Sequence, residues 1–544
     1  MKKFLSVLFI VVALVSVFSM SASALELNLG VLVDDIYYFA YEDVAIVTGF
    51  DMDADDTSPK PGIVIPEEIT YKGNKYKVMA VIDQAFYMCD YTSITLPSTI
   101  VYIGNGAFMS SPYLEEVDIP DTCEFIAFGG DVFIGTPFEA EIYSKDETIF
   151  GKNVLFSYTG NADEYTIPDD IEIIAPKCFF MSGVKNVVFN KKVTEIPEYA
   201  FMSCRNLTDV TISDTIITIG EGAFKDCTSL EKVTLGENVA SLGLDCFSNT
   251  NIKEIYLGQS VYDISGAFRD CKTLENIIVD TANTALVTDG DAIYFATTFY
   301  FDGEERDGWI LEYYLPSAAQ GTIKLKSNVG AIGEYAFYGC KELDEVVANE
   351  LEYVDSYAFC NSSIKKFSAE GNCYIWDAAF RNCKNLETIN LENVDFIGIS
   401  AFENCTALKD VTFSKDIYYI SELAFANTGI TDIVISSSDY CYIFEAAFKG
   451  CKELESVRLE NGVSYVGMNA FLDCPKLKTI YLSKTVSSFE DNAFNGCDNV
   501  TFELVKNSRA YKYIKNYTDF NFEIVGKLSF FERIIEFFRS LFGF

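Results

Sequence analysis

The dipeptide Ala-Phe, or a close variant of it, recurs through most of this 544-residue chain, at intervals of 21 to 23 residues within two long runs. A single hydrophobic core rarely grows beyond about 250–300 residues, so a repeat architecture is the simplest way for such a chain to fold. The repeat Phe recurs about sixteen times, with a degenerate copy at 133. The positions are Phe86, Phe108, Phe133, Phe179, Phe201, Phe224, Phe247, Phe268, Phe337, Phe359, Phe380, Phe402, Phe425, Phe448, Phe471 and Phe494.

One clear unit runs from Ala223 to Leu242 and reads AFKDCTSLEKVTLGENVASL. Within it, Val233-Thr234-Leu235 alternates apolar, polar and apolar side chains, which is the period of a half-buried strand. The residues leading into Phe224 instead suggest a tight turn followed by about one turn of helix. A coil this short buries its apolar side only against its neighbours. The pattern therefore predicts a β-rich repeat solenoid of about 16 coils with short helical turns and a parallel sheet.

The repeat also assigns positions to the aromatic residues and to most of the cysteines. The Phe is large enough to fill the centre of each coil, so we expect it to be the main core residue. Ten of the sixteen cysteines lie three residues after a repeat Phe, where other coils carry Ser or Thr. A position that accepts Cys, Ser or Thr favours a small buried side chain, so a mostly reduced thiol series is expected. Stacked coils also place thiols near bridging distance, which leaves disulfides as the alternative.

The skeleton I-G-x-x-A-F-x-x-C-x-x-L-x-x-V-x-L closely resembles the BspA-type leucine-rich repeats. The resemblance covers roughly residues 60–500 and recurs many times, so it is far more specific than a single motif. It implies a curved right-handed solenoid with one parallel sheet along its face. It also implies a bacterial surface protein, or one from a mucosal parasite, that adheres to host matrix proteins or to other bacterial cells. The family offers no catalytic motif to transfer.

The repeat is interrupted twice and is bordered by different sequence at both ends. The insert near 137–168 carries a small hairpin pattern, and the insert near 280–322 carries Asp289-Gly290, a hairpin turn signal. Similar hairpin inserts occur within the family that the repeat resembles, so the resemblance implies β-flaps that protrude from the solenoid, with a separate domain as the alternative. The predicted organisation is a signal peptide at 1–24, an N-terminal β cap at 25–75, the leucine-rich-repeat solenoid at 76–500, a C-terminal cap at 501–526 and an amphipathic C-terminal helix at 527–544.

The two termini predict export and an attachment element. Lys2 and Lys3 precede a nearly unbroken apolar run from Phe4 to Phe18, and Ala22-Ser23-Ala24 follows as a cleavage signal. This arrangement is typical of a secretory signal peptide, while a membrane anchor would need a longer core of about 20 residues. The amphipathic helix at 527–544 could contact a membrane or the cell envelope, dock on a partner, or fold back on the last coil.

Charge and composition exclude several functions. The chain has 41 Lys and Arg against 80 Asp and Glu, a formal net charge of −39, which repels nucleic acid and favours basic partners or cations. Such a charge also serves solubility alone. The chain contains no histidine, which excludes catalysis through a Ser-His-Asp triad and metal sites built on histidine. The cysteines lack metal-ligand spacing, and no metal or cofactor is predicted.

The outward-facing residue at the centre of each strand is the predicted ligand-binding column. Within it Tyr256, Arg458 and Tyr481 are of the types enriched at binding hot spots, although strand propensity also explains many members. The remaining members of the column are Thr95, Asp118, Val188, Thr211, Thr234, Ile278, Val347, Ser368, Asn390, Thr412 and Val434.

The acidic run at Asp51, Asp53, Asp55 and Asp56 begins like a calcium-binding loop. It lacks the Gly and the final Glu that such a loop needs, so a solvated hairpin tip is expected.

These observations predict an exported cell-surface or secreted protein that binds a protein or glycan ligand on a host or bacterial surface. The alternative is a structural protein of the cell envelope without a specific ligand. A third hypothesis, an enzyme using the insert at 280–320, rests only on a group of acidic residues that belong to turn tips. No catalytic residue is predicted, and the ligand and oligomeric state stay open. The acidic residues are Asp289, Asp291, Asp302, Glu304 and Glu305.

Overall fold

The protein is described by a computed structural model that covers residues 30–51, 58–123, 126–301, 304–371, 373–490, 492–497, 499–517 and 520–527. It is a β-solenoid of about twenty turns with very little helix. The chain divides into two compact units, Met1–Thr273 and Leu274–Phe544. The predicted signal peptide, Asp53, Asp55, Asp56, Asp302 and nearly all of the predicted C-terminal helix lie outside the described residues.

The first unit begins with an antiparallel meander, which then continues into parallel strands contributed one per turn. Helix α1 (Pro137–Tyr143) starts at the N-cap Thr136, whose hydroxyl accepts a hydrogen bond from the Glu139 backbone amide. The strands are β1 (Val31–Val33), β2 (Ile36–Tyr41), β3 (Val44–Phe50), β4 (Ile63–Val64), β5 (Glu68–Tyr71), β6 (Asn74–Val81), β7 (Ser93–Thr95), β8 (Tyr102–Ile103), β9 (Glu116–Asp118), β10 (Ala127–Phe128), β11 (Glu147–Phe150), β12 (Val154–Tyr158), β13 (Tyr165–Thr166), β14 (Ile173–Ile174), β15 (Val187–Val188), β16 (Glu195–Ile196), β17 (Asp209–Thr211), β18 (Thr218–Ile219), β19 (Lys232–Thr234), β20 (Ser241–Leu242) and β21 (Glu254–Leu257).

The second unit contains an eleven-stranded sheet and two shorter sheets, of four and five strands. Its strands are β22 (Asn276–Val279), β23 (Leu286–Asp289), β24 (Ala292–Phe301), β25 (Glu304–Tyr314), β26 (Gln320–Lys324), β27 (Val329–Ile332), β28 (Glu342–Glu350), β29 (Tyr353–Val354), β30 (Lys366–Glu370), β31 (Cys373–Ile375), β32 (Thr388–Ile389), β33 (Val394–Ile397), β34 (Tyr419–Ile420), β35 (Asp432–Ile435), β36 (Cys441–Ile443), β37 (Ser456–Leu459), β38 (Val463–Val466), β39 (Thr479–Leu482), β40 (Ser488–Phe489), β41 (Thr501–Lys506) and β42 (Asn521–Lys527). Helix α2 (Arg509–Tyr517) lies between β41 and β42 in the chain. The strand order of the eleven-stranded sheet is β23-β24-β25-β27-β29-β31-β33-β34-β36-β38-β40, and the orders of the shorter sheets are β26-β28-β30-β32 and β35-β37-β39-β41-β42.

The repeat Phe side chains form the centre of the core in both units, as predicted. In the second unit, Phe380 and Phe402 lie 5.2 Å apart between ring centroids and are inclined by only 9°. The next rings repeat this geometry, with 5.0 Å between Phe402 and Phe425. The amide of Phe402 also donates to the carbonyl of Ala424 in the following turn at 2.7 Å. Each turn thus stacks its ring and pairs its backbone with the next at the same position.

The segment around each repeat Phe is a series of turns in which residues i and i+3 are hydrogen-bonded. Residues two before and two after the Phe commonly adopt positive φ, as do Ser400 (φ 55°) and Asn404 (φ 64°) around Phe402. Left-handed residues interrupt a right-handed helix, so the short helical turn cannot lengthen. Asparagine tolerates this conformation. The side-chain amide of Asn404 also donates to the side-chain oxygen of Asn382 in the preceding turn at 2.9 Å.

The number of turns, about twenty, exceeds the predicted sixteen. The extra turns include some that lack the Ala-Phe pair, because other aromatic residues take the Phe position. Tyr158 lies 5.3 Å from Phe179 between ring centroids, and its amide donates to the Cys178 carbonyl. Tyr314 lies 5.2 Å from Phe337 in the same way. Counting Ala-Phe pairs therefore underestimates the solenoid where an insert replaces the repeat sequence.

The cysteines are all buried and free, and their position serves hydrogen bonding as well as packing. The thiol of Cys405 donates to the carbonyl of Phe380 in the preceding turn, with 3.1 Å between sulfur and oxygen. The hydroxyl of Ser111 donates to the Phe86 carbonyl at 2.9 Å in the same place. Cys, Ser and Thr share this position because each is small and carries a donor.

We expect the sixteen thiols to be unreactive in the folded protein and to react completely after unfolding. Burial raises the pKa of Cys373 and Cys383 to about 12, so these two thiols carry little thiolate at pH 8, and burial shields all sixteen sulfur atoms from the reagent. Titration with Ellman's reagent at pH 8, with and without guanidinium chloride, measures both states. Fewer than sixteen thiols in the unfolded, non-reduced protein would show that disulfides form and would contradict the free arrangement.

Candidate functional site

The structure places two of the three predicted ligand-binding residues side by side. Arg458 on β37 and Tyr481 on β39 are paired in register, and the guanidinium lies over the tyrosine ring at 4.3 Å from its centroid. Arg458 also forms ion pairs with Glu460, at 2.8 Å, and with Glu503, at 3.5 Å. Its charge is therefore already balanced by neighbours on the same sheet, and much of its donor capacity is occupied.

Tyr256, the third predicted residue, belongs to the first unit. Its side chain is half exposed at the edge of a shallow surface concavity of about 620 Å³. Charged side chains of both signs, including Lys232 and Glu231, line this concavity. The structure thus gives Tyr256 separate surroundings from Arg458 and Tyr481, and the role of these three residues in ligand binding stays a prediction.

The surface of the second unit carries a row of aromatic side chains that lies outside the predicted column. Six successive turns carry an aromatic residue six positions before their repeat Phe, and three further rings lie beside this row. We call these nine side chains the aromatic ladder. They are Tyr353, Tyr374, Trp376, Phe396, Tyr418, Tyr419, Tyr442, Phe444 and Tyr465.

The parallel sheet brings the six rows of the aromatic ladder into register. Tyr374 pairs with Phe396, Phe396 with Tyr419, Tyr419 with Tyr442, and Tyr442 with Tyr465. Ring centroids of successive rows lie 5.7 Å apart at Tyr419 and Tyr442, and 6.3 Å apart at Tyr442 and Tyr465. Because β-strands alternate their side chains, the residue that follows each of the six rings points into the core, as Ile443 does after Tyr442. The ladder is therefore held on a rigid, buried framework.

Several rings of the aromatic ladder remain open to solvent. Trp376 is 42% exposed, Tyr419 and Phe444 are 38% exposed and Tyr442 is 37% exposed, while the others are half-buried. Neighbouring rings also contact one another, with 5.2 Å between the centroids of Trp376 and Phe396. Connected, exposed aromatic surfaces are uncommon in soluble proteins, and large ones mark sites of interaction.

Carboxylates accompany the aromatic ladder along its length. Burial, together with the charges of Asp355, Glu312 and Glu352, raises the pKa of the Tyr353 hydroxyl to about 12. Burial and the nearby charge of Asp416 likewise raise the pKa of the Asp395 carboxyl. The ladder thus combines ring faces, which are electron-rich, with negative side chains.

Sequence reasoning missed the aromatic ladder because it followed the other strand of each coil. The predicted column lies about seven residues earlier, at positions such as Arg458 on β37, in the strand that follows the cysteine. The signal was nevertheless present, since Tyr or Phe occurs six residues before the repeat Phe in six consecutive coils, from Tyr353 to Tyr465. That regularity at an outward strand position exceeds what strand propensity requires.

Among the residues that the structure describes, the carboxylates of the insert do not assemble a metal site. Asp289 forms an ion pair with Lys326. Across the described residues, no group of three or more Cys, Asp or Glu side chains is placed to hold a metal ion. Asp51, the described member of the acidic run, accepts a hydrogen bond from the Tyr37 hydroxyl at 3.4 Å.

The fold of each unit is that of a repeat solenoid, and the second unit presents a regular row of exposed aromatic side chains on its sheet. The BspA type leucine-rich repeat region matches the chain over residues 80–153, 147–275, 312–431 and 373–501, which together make up well over half of its length. The chain therefore belongs to the BspA-type leucine-rich-repeat family. A comparison with the curated proteins gives no significant match.

Among the solved structures that match this chain are three proteins from bacteria. A leucine-rich cell surface protein from Faecalibacterium prausnitzii is 20% identical, with a TM-score of 0.32, over 88% of this chain and 95% of its own. The pneumococcal vaccine antigen PcpA is 16% identical, with a TM-score of 0.36, over 91% and 98%. A protein from Eubacterium ventriosum is 24% identical, with a TM-score of 0.44, over 64% and 92%. Among the residues that the structure describes, no helix is both long and apolar enough to cross a membrane.

Proposed function

We propose that this chain is an exported cell-surface or secreted binding protein that adheres to a protein or glycan ligand on a host or bacterial surface through its aromatic ladder. The exposed, in-register rings of the ladder carry the proposal, because they offer contact area at little conformational cost on a fixed framework. Family membership supports a surface role. The apolar run from Phe4 to Phe18, followed by Ala22-Ser23-Ala24, supports export.

The predicted column around Arg458 is the weaker candidate surface. The guanidinium of Arg458 contacts Tyr481, Glu460 and Glu503, so a ligand would first have to displace these contacts. The rings of the aromatic ladder contact mainly one another and keep open faces. A ligand that stacks on them replaces water and breaks no ion pair.

The test compares two triple variants of the protein made as residues 25–544. One changes the ladder, Tyr419→Ser with Tyr442→Ser and Phe444→Ser, and the other changes the column, Val434→Ser with Arg458→Ser and Tyr481→Ser. We expect the ladder variant to lose at least about tenfold in binding to immobilised matrix proteins, mucin or bacterial cells, while the column variant binds as the parent does. Thermal unfolding of all three proteins verifies that each is folded.

Two outcomes would contradict the proposal. Equal binding by the ladder variant and the parent would remove the ladder as the adhesive surface. No binding by the parent in any of these assays would favour the alternative of a structural envelope protein. Deleting residues 527–544 and measuring cell association separates retention at the cell from adhesion, and tests the predicted membrane or envelope contact of that segment.

A further inference from the structure

The segments that carry the aromatic ladder, together with the corresponding segment of the next turn, contain no basic residue, and all but one of them contain acidic residues. Residues 351–356, 372–377, 394–399, 417–422, 440–445, 463–468 and 486–491 include neither lysine nor arginine. Their described carboxylates occur in nearly every turn, at the strand or just after it. They are Glu352, Asp355, Asp377, Asp395, Glu422, Glu445 and Glu490.

Within the described part of the chain, none of these seven carboxylates forms an ion pair with lysine or arginine. Some are held in other ways: Glu490 accepts from the Tyr465 hydroxyl at 3.2 Å, and Asp377 accepts from the Ile399 amide at 2.7 Å. Elsewhere in the same unit acidic side chains are paired, as Glu455 is with Lys478. The negative charge beside the ladder is therefore uncompensated, in contrast to the balanced charge around Arg458.

Aromatic faces and carboxylates favour the same kind of ligand. The face of a Tyr, Phe or Trp ring attracts a cation, and a guanidinium stacks on it in the manner that Arg458 stacks on Tyr481. A carboxylate beside the ring adds a charge-assisted hydrogen bond. An anionic polymer, such as an acidic glycan or nucleic acid, would instead be repelled along the whole ladder.

The spacing of the rows suits an extended chain. In an extended polypeptide, side chains on one face recur about every 6.7 Å, since each residue advances about 3.3–3.4 Å. Successive rows at Phe396, Tyr419, Tyr442 and Tyr465 are 5.7 to 6.3 Å apart between ring centroids. Alternate side chains of an extended segment that crosses the strands can therefore meet successive rows.

We propose that the aromatic ladder binds an extended, basic segment of a partner protein, with arginine or lysine side chains at alternate positions stacked on successive rows and paired with the flanking carboxylates. This inference rests on the proposed function and specifies the ligand class for the same surface. The stacked cation gains from the ring face and the carboxylate together, so binding depends on both.

The test uses a fluorescein-labelled peptide of six Arg-Ser repeats and the protein of residues 25–544, measured by fluorescence anisotropy at 150 mM salt. We expect saturable binding that the ladder variant Tyr419→Ser, Tyr442→Ser and Phe444→Ser weakens at least about tenfold, although its net charge is unchanged. The isosteric pair Glu422→Gln and Glu445→Gln, which preserves the rings, should weaken binding about threefold or more. The column variant should bind as the parent does.

A peptide of six Glu-Ser repeats and a neutral oligosaccharide of glucose serve as control ligands, and neither should bind. Equal binding of the basic peptide by the ladder variant would show general attraction to an acidic protein and would overturn the inference. Failure of the basic peptide to bind would also overturn it, even where adhesion to matrix or cells still depends on the ladder. That combination leaves the proposed function standing and assigns the ladder another ligand, such as the neutral glycan.

Discussion

Phe402→Ala should lower the free energy of unfolding of the second unit by about 3–5 kcal/mol. The Phe402 ring is fully buried and stacks between Phe380 and Phe425 at 5.2 and 5.0 Å, so its removal leaves a cavity that two neighbouring turns line. Guanidinium chloride unfolding followed by circular dichroism measures the loss. Hydrogen exchange should locate it in the turns on either side, because each turn contacts mainly its neighbours.

Phe444→Ala is the matched control, since it removes the same side chain from the exposed surface of the same unit. Phe444 is 38% exposed, so we expect a loss of no more than about 1 kcal/mol. Similar losses in the two variants would contradict the assignment of the repeat Phe column as the core of the solenoid.

Asp245→Ala should destabilise the first unit by about 3 kcal/mol. The Asp245 carboxylate is only 5% exposed and binds Lys225 at 2.7 Å and Arg269 at 2.5 Å, which lie in the preceding and following turns. Without the carboxylate, two partly buried cations lose their partner and repel each other. Guanidinium chloride unfolding followed by circular dichroism measures the change in the free energy of unfolding, and hydrogen exchange locates it in the first unit.

Glu172→Ala is the control for the effect of burial. Glu172 and Lys192 also join successive turns, at 3.2 Å, but both side chains are nearly half exposed and are screened by water. We expect that change to cost no more than about 1 kcal/mol. If Asp245→Ala costs no more than Glu172→Ala, the buried triad contributes nothing beyond an ordinary surface pair.

The core was the most predictable part of the protein. The Ala-Phe period identified the buried ring of almost every turn, and the alternation at Val233 and Leu235 identified a half-buried strand. These signals are strong because every turn repeats the same burial problem, and the same solution therefore recurs in the sequence. The period failed at Tyr158 and Tyr314, where inserts bring a different aromatic residue to the Phe position.

The exchange of Cys, Ser and Thr was only partly understood from the sequence. Size alone explained why the position is small, but the donated hydrogen bond from Cys405 to the Phe380 carbonyl joins residues of two turns. No pattern within one coil reports such a contact. The buried charge triad around Asp245 escaped prediction for the same reason, since its members are separated by 20 and 24 residues.

The sequence by itself determined that this chain is a stacked solenoid with aromatic centres and small, buried thiols, because these properties repeat with the coil. Only the tertiary structure decided which outward residues become neighbours. Parallel pairing in register placed Tyr374, Phe396, Tyr419, Tyr442 and Tyr465 in one row across the sheet, although about 22 residues separate each from the next. The same pairing placed Arg458 on Tyr481 and so balanced its charge locally. Stacking thus converts a weak regularity along the chain into a continuous surface.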